Sequence, residues 1–286
     1  MAEAHPAAPV GREFNPWPVV IFIVLVCLAV LFLAPTAGVL LSSVKTTREI
    51  ALGDLWSFPT RLYLGNFVEV LNKPAVHQYL INTLLVTVPA TAASIGLGVL
   101  AGYVFAKLPF RGSEALFLVI VAGMFFPPQV ILIPLYRLFN AVGLIDTLYP
   151  VILIHIAMGM PICTLLMRNF FATVPNALRE AAILEGASEW QVLTRVALPL
   201  SLPALAVLAT LQFTWIWNDF LWPLIFTQSD DKRTIMLGIV NLKGQYLVAW
   251  GIQGALSLVA SLPTLIVFLF FQRYFIKGMT MGAVKG

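Results

Sequence analysis

Residues 18–41 read PVVIFIVLVCLAVLFLAPTAGVLL, a run without one charged side chain. A helix needs about 20 apolar residues to cross the hydrocarbon core of a bilayer, and this run is long enough. It also exceeds the ~7–15 apolar residues of a cleaved signal core. Pro35-Thr36-Ala37-Gly38 has a loose likeness to a cleavage region, yet apolar residues continue beyond it, so the segment reads as a retained spanning helix. Working outward, five more stretches qualify, at about 80–105, 115–136, 148–167, 200–226 and 254–276. Nothing repeats between them, and no low-complexity linker divides the chain. The expectation is an all-α integral membrane protein with six transmembrane helices, because in lipid the backbone must satisfy its own hydrogen bonds.

Composition agrees. Charged residues make up 10% of the 286, against roughly 25% in soluble domains, 60% are hydrophobic, and the mean hydropathy is +0.92. A lipid bilayer is therefore the expected surrounding. The net charge of +4 is spread thinly with no Lys/Arg run, which argues against nucleic acid, whose phosphates need clustered cations. Cys27 and Cys163 each sit in an apolar run, the pattern of ordinary buried residues and not of a disulfide framework or metal site. His-Glu-x-x-His and Gly-x-Ser-x-Gly are both absent, so an intramembrane enzyme has no support. No Gly-x-x-x-x-Gly-Lys-Ser/Thr stretch occurs either. The chain cannot cradle nucleotide phosphates in that way, and energy for any driven process must come from a partner. Six crossings place both termini on one side; the 17 Lys and Arg divide nearly evenly between the two faces, so the positive-inside rule does not choose the side. Pro127-Pro128 interrupts the third stretch near its middle, and Pro134 follows. Such a break in lipid is either a packing kink or a bend lining a pathway.

The least membrane-like part of the second half is 168–198. Ala177 to Glu185 are strong helix formers, Gly186 can take the left-handed conformation that ends a helix, and Ser188 can cap a second helix starting at Glu189. Pro199 then opens the next span. Ala181, Ala182 and Leu184 form a small apolar face beside the carboxylates of Glu180 and Glu185. Two readings stay open from these residues alone: docking into a groove on a soluble partner, or an amphipathic helix resting on the bilayer.

Glu180-Ala181-Ala182, three residues, Gly186 and then Leu198-Pro199 resemble the EAA loop of ATP-binding-cassette (ABC) importer permeases. Asn82-Thr83, Pro134-Leu135-Tyr136, Trp217-Asn218-Asp219-Phe220 and the C-terminal run from Gly278 to Gly286 resemble the carbohydrate-uptake branch, which includes the smaller permease subunit of the maltose transporter. The likeness covers roughly 60–286. It implies a type I importer permease fold with a cytoplasmic coupling helix that contains Glu180, Ala181, Ala182, Glu185 and Gly186. Glu185 stands where relatives commonly have Asp, which keeps the charge. The implied organisation is an N-terminal tail, first helix and outer loop (1–76), an ABC transmembrane type-1 domain (77–272) and a C-terminal tail (273–286). Implied partners are a second permease subunit, two cytoplasmic ATPase subunits that hold the ATP and Mg, and an extracytoplasmic solute-binding protein. The chain itself holds no cofactor. Both termini are then cytoplasmic, in the inner membrane of a bacterium or archaeon. The implied solute is sugar-like, with a peptide or amino-acid system as the runner-up. A passive channel would leave the EAA loop unexplained.

Ionisable groups inside lipid usually face a bundle interior or a cavity. His155 in the fourth stretch and Asp219 in the fifth stand out, at similar depth. On a continuous helix Asp219 shares a face with Gln212, Trp215 and Trp222, with Asn218 beside it. This set is the candidate translocation pathway, aromatic faces beside hydroxyl partners. The competing reading pairs Asp219 with an outer-loop cation and leaves Trp215, Trp217 and Trp222 as interfacial anchors. Asp230, Asp231, Lys232 and Arg233 are either solvated turn charges or contacts for a binding protein.

Overall fold

Phe126 and Pro127 each precede a proline, and a residue before proline is pushed out of the helical region. In the computed structural model both are extended, with ψ of 119° and 131°. The third apolar stretch is consequently two helices at 97° to each other, Ser113–Phe125 and Pro128–Ala141. The break that the sequence leaves as a kink is close to a right angle. The structure describes residues 16–53, 56–242 and 249–283, with side chains up to 240 and from 249 to 274. The N-terminal tail up to residue 15, Lys243 in the outer loop and the last three residues lie outside the described residues.

The elements are α1 (Trp17–Ser43), α2 (Thr47–Leu52), α3 (Gly65–Asn72), α4 (Pro74–Lys107), α5 (Ser113–Ala122, extended by a 3-10 turn to Phe125), α6 (Pro128–Ala141), α7 (Tyr149–Thr173), α8 (Asn176–Leu184), α9 (Glu189–Val192), α10 (Leu198–Leu200), α11 (Leu202–Trp217), α12 (Leu221–Phe226), α13 (Ile235–Leu242) and α14 (Trp250–Ala283). Helices make up all the regular structure among the described residues. Four helices, α1, α4, α7 and α14, are each long and apolar enough to cross a membrane; counting each bent pair as one span gives up to six. The second bent pair is Glu189–Leu200 with Leu202–Trp217, at 78°. A π-helical turn, Leu193–Ala197, precedes this bend. Pro199 and Pro203 sit on its two sides, each lacking a backbone donor. The fifth stretch also stops short of its expected end. Asn218, Asp219 and Phe220 separate α11 from α12.

Helices α4 and α7 run side by side in the same direction and form the spine. A Cβ on Gly98 would lie 2.3 Å from Cys163 Cβ, and one on Gly102 would lie 2.8 Å from Met167 Cβ. Small residues at such spacing let two membrane helices approach closely. At one end of this spine Val99, Tyr103, Cys163, Met167, Phe171, Val192 and Leu193 form a core. The end with residues 176–190 is the near end. At the far end, α3, α4, α11, α13 and α14 pack around Trp217, whose indole N–H donates to Ala260 O at 2.8 Å. A Cβ on Gly254 would lie 2.7 Å from Ser42 Oγ, so α14 begins where α1 ends. The start of α1 and the end of α14 therefore point to the near end. None of the most apolar window of α1 is buried in the protein.

Candidate functional site

The near-end segment folds as its local chemistry dictates. Gly186 has φ of +89°, the left-handed conformation that a Cβ disfavours. Ser188 Oγ accepts from Gln191 N–H while the Gln191 side chain accepts from Ser188 N–H, a complete capping box. Three contacts not evident in the sequence fix the segment, one folding it on itself and two tying it to α4. Arg179 on α8 pairs with Glu189 on α9, through Nε at 3.2 Å and through Nη2. Tyr103 OH donates to Glu189 Oε2 at 3.0 Å. Lys107 Nζ, at the end of α4, donates to Val174 O at 2.6 Å and Asn176 Oδ1 at 2.7 Å. The hydrogen bond between them raises the pKa of Arg179 and lowers that of Glu189, so this pair stays ionised. The Arg179–Glu189 spacing of ten residues becomes a contact only after the Gly186 turn folds the chain back.

The segment does not present one apolar face with all three expected residues. Ala182 is half-buried and packs on the near-end core. Ala181, Glu180, Glu185 and Gly186 are exposed, and Leu184 is 89% exposed at the tip. A 3.6-residue period separates Ala182 from Leu184 by about half a turn; the small residue seats the helix and the large one projects. Exposed Trp190 on α9 extends the apolar surface.

Within the helix bundle the structure brings His155 and Asp219 together. His155 Nε2 lies 3.0 Å from Asp219 Oδ2, with the two side chains 8% and 12% exposed. Asp219 thus pairs with a neighbouring helix and not with an outer-loop cation. Its other oxygen, Oδ1, accepts from Leu221 N–H at 3.0 Å at the start of α12. Gln212 is buried and its Nε2 donates to Gly159 O on α7 at 3.3 Å. The four residues Gln212, Trp215, Asp219 and Trp222 do not share the expected face: Gln212 and Trp215 already differ in exposure within α11, and the break at Asn218 resets the register for Asp219 and Trp222. Trp215 points outward, Asn218 is exposed with its amide turned back to Thr214 O, and Trp222 is buried among Val151, Ile154 and Phe226. Trp217 and Trp222 are core residues, and Trp215 alone of the three is exposed.

The far end carries a clamp that joins Asn82 and Thr83, family-like in the sequence, and Tyr79, which the sequence did not single out, to the 230–235 turn. Asn82 Nδ2 donates to both Asp231 O and Arg233 O at 2.8 Å. Thr83 Oγ1 accepts from Ile235 N–H at 2.8 Å, and Tyr79 OH donates to Asp230 Oδ1 at 2.7 Å. Asp231 pairs with Lys232, and Asp230 with Arg233. Nearby, Asp146 has φ of +63°. Its carboxylate accepts from Gln228 N–H and Ser229 N–H at 2.8 Å and from the Ser229 hydroxyl, tying the corner before α7 to the loop after α12. The Ser229 hydroxyl and amide hold this carboxyl below the ordinary Asp pKa. No group of three His, Cys, Asp or Glu comes together to hold a metal ion among the described residues.

Comparison with known proteins gives concordant results. Residues 94–281 match the family described as "Binding-protein-dependent transport system inner membrane component". A probable ABC transporter permease protein of Pyrococcus horikoshii is 36% identical over 90% of this chain and 94% of its own length. The alpha-glucoside transport system permease protein of Rhizobium meliloti is 37% identical over 80% of this chain and 62% of its own. Among solved structures, a chain of a bacterial ABC transporter involved in import of the polysaccharide alginate superposes with a TM-score of 0.80 at 22% identity, covering 94% of this chain and all of that one.

Proposed function

The chain belongs to the family of binding-protein-dependent transport system inner membrane components, a permease subunit and not an enzyme, and from that premise we propose that residues 176–190 dock in a separate ATP-hydrolysing subunit and drive import of a sugar-like solute. The observation that carries this reading is Leu184, a large apolar side chain 89% exposed at the tip of a short helix whose base is tied to α4 and α9. A loose amphipathic helix on lipid has no use for that rigid base; a plug that must transmit force does. Glu180 and Glu185, exposed beside the tip, supply acceptors at the rim of the contact.

In this reading ATP and Mg sit on the ATPase subunits, a second permease chain completes the pathway, and a solute-binding protein approaches the far end. Each bent pair counts as one span, giving six crossings with both termini on the cytoplasmic side. The relative named for α-glucoside transport supports a sugar-like solute.

The test is co-purification of the ATPase with Leu184→Asp, Glu180→Lys and Gly186→Pro. Each should insert normally yet lose the ATPase and solute-stimulated hydrolysis. Wild-type ATPase yield with normal stimulation in all three would refute the docking role. Uptake across a sugar panel in a strain lacking this chain tests the solute class.

A further inference from the structure

Of the ion pairs among the described residues, His155–Asp219 is the one with both partners largely buried. It lies where an ionisable group is costly and usually functional. Its geometry divides one carboxylate between two elements. Asp219 Oδ1 holds the first turn of α12, while Oδ2 meets His155 on α7. A neutral asparagine or serine can accept the same N–H two residues on, so the contact with Leu221 alone does not call for a carboxylate. Parting α12 from α7 would take from Asp219 Oδ2 its partner on α7, and a largely buried polar group left without a partner is unfavourable. Such a contact is either made or replaced by another; it does not stretch gradually, which is what a two-state element requires.

A second polar contact lies on the same seam. Gln212 on α11 meets Gly159 on α7, four residues along α7 from His155 and so on the same face. We propose that His155 and Asp219 form a latch closing the α7–α12 contact in one state of the permease, and that transport requires it to part. Both are positioning residues, and this inference rests on the importer reading above.

The experiment uses the assembled transporter in proteoliposomes with its binding protein. Asp219→Ser keeps an oxygen that can accept from Leu221 N–H but is too short to reach His155, whereas His155→Leu removes the latch from the other helix. Both should raise ATP hydrolysis in the absence of solute-loaded binding protein by about fivefold or more, the lower range of a conformational coupling, and lower uptake per ATP. His155→Gln, which can still donate to the carboxylate, should stay near the wild-type rate. A purely structural role would instead lower yield and hydrolysis together. Retention of the ATPase by the variants shows docking intact, so failure of this proposal is distinguishable from failure of the docking reading. Basal hydrolysis within about twofold of wild type in assembled Asp219→Ser and His155→Leu complexes overturns the latch. Where those variants assemble poorly, His155→Cys with Asp219→Cys in a Cys27→Ser background, bridged by a short thiol cross-linker, decides the matter. Bridging should abolish uptake, and undiminished uptake overturns the proposal.

Discussion

Along α7 one side packs on α4 and another meets α11, and the two contacts are built from different material. The α4 side is close, with the Cys163 side chain occupying the space above Gly98 and that of Met167 above Gly102. The α11 side is joined by a long Gln212–Gly159 hydrogen bond and, just beyond it, the His155–Asp219 pair. An interface without room for a methyl group cannot slide, because interiors at crystal-like density respond to small volume changes. The α11 and α12 side also buries Ile216, Trp222 and Phe226 against Val151 and Ile154, but its polar contacts can be exchanged for others. The difference divides the bundle into a fixed body, α4 with α7, and a seam along which α11 and α12 can shift.

The harshest way to break this contrast is Gly98→Ala. The new methyl would lie 2.3 Å from Cys163 Cβ and 2.7 Å from the Cys163 carbonyl carbon, neither of which can swing aside. A loss of about 3 kcal/mol is expected, read as thermal unfolding in detergent, with partial recovery when Cys163→Gly is added. The next test asks whether the far end of α4 belongs to the fixed body. Asn82→Ala strips a donor from two backbone carbonyls in the 230–235 turn and should cost about 2 kcal/mol. Gln212→Leu probes the seam. Stability should change by about 1 kcal/mol or less while uptake falls clearly; equal losses in both would erase the distinction between seam and spine.

The smallest effect concerns Asp146, which ties the corner before α7 to the loop after α12. Its folded carboxyl titrates below the ordinary Asp value. The stability it contributes is therefore complete above about pH 4 and is lost as pH falls through the lower folded value. Asp146→Asn should leave the melting temperature insensitive to pH near neutrality and flatten only its acid limb. Melting curves across that range check the sign.

How much of this was legible beforehand follows from the range of each interaction. The apolar runs announce their spans because each must cover the bilayer by itself. Gly186 and Ser188 were readable because a left-handed turn and a cap depend on adjacent residues. The break at Asn218 was hidden, since Trp215, Trp217, Leu221 and Trp222 make the stretch look continuously apolar, and the expected common face with Gln212 relied on that continuity. Pro127-Pro128 announced a break but not a near-perpendicular one. His155 and Asp219 were each conspicuous as ionisable residues in apolar surroundings. Their contact, like that of Arg179 with Glu189, depends on how separate helices are laid together, which no local spacing records.

Leverage follows from the length of α4. Its 34 residues at about 1.5 Å each make a rod of about 51 Å. Tyr103 and Lys107 fasten one tip of that rod to the 176–190 segment, while Tyr79 and Asn82 grip the turn at the other. Each ~10° of swing about its midpoint carries both tips sideways by about 4 Å in opposite directions. A tug on one end of α4 thus arrives at the other reversed in sign, less whatever bending Pro89, inside the helix near its midpoint, absorbs.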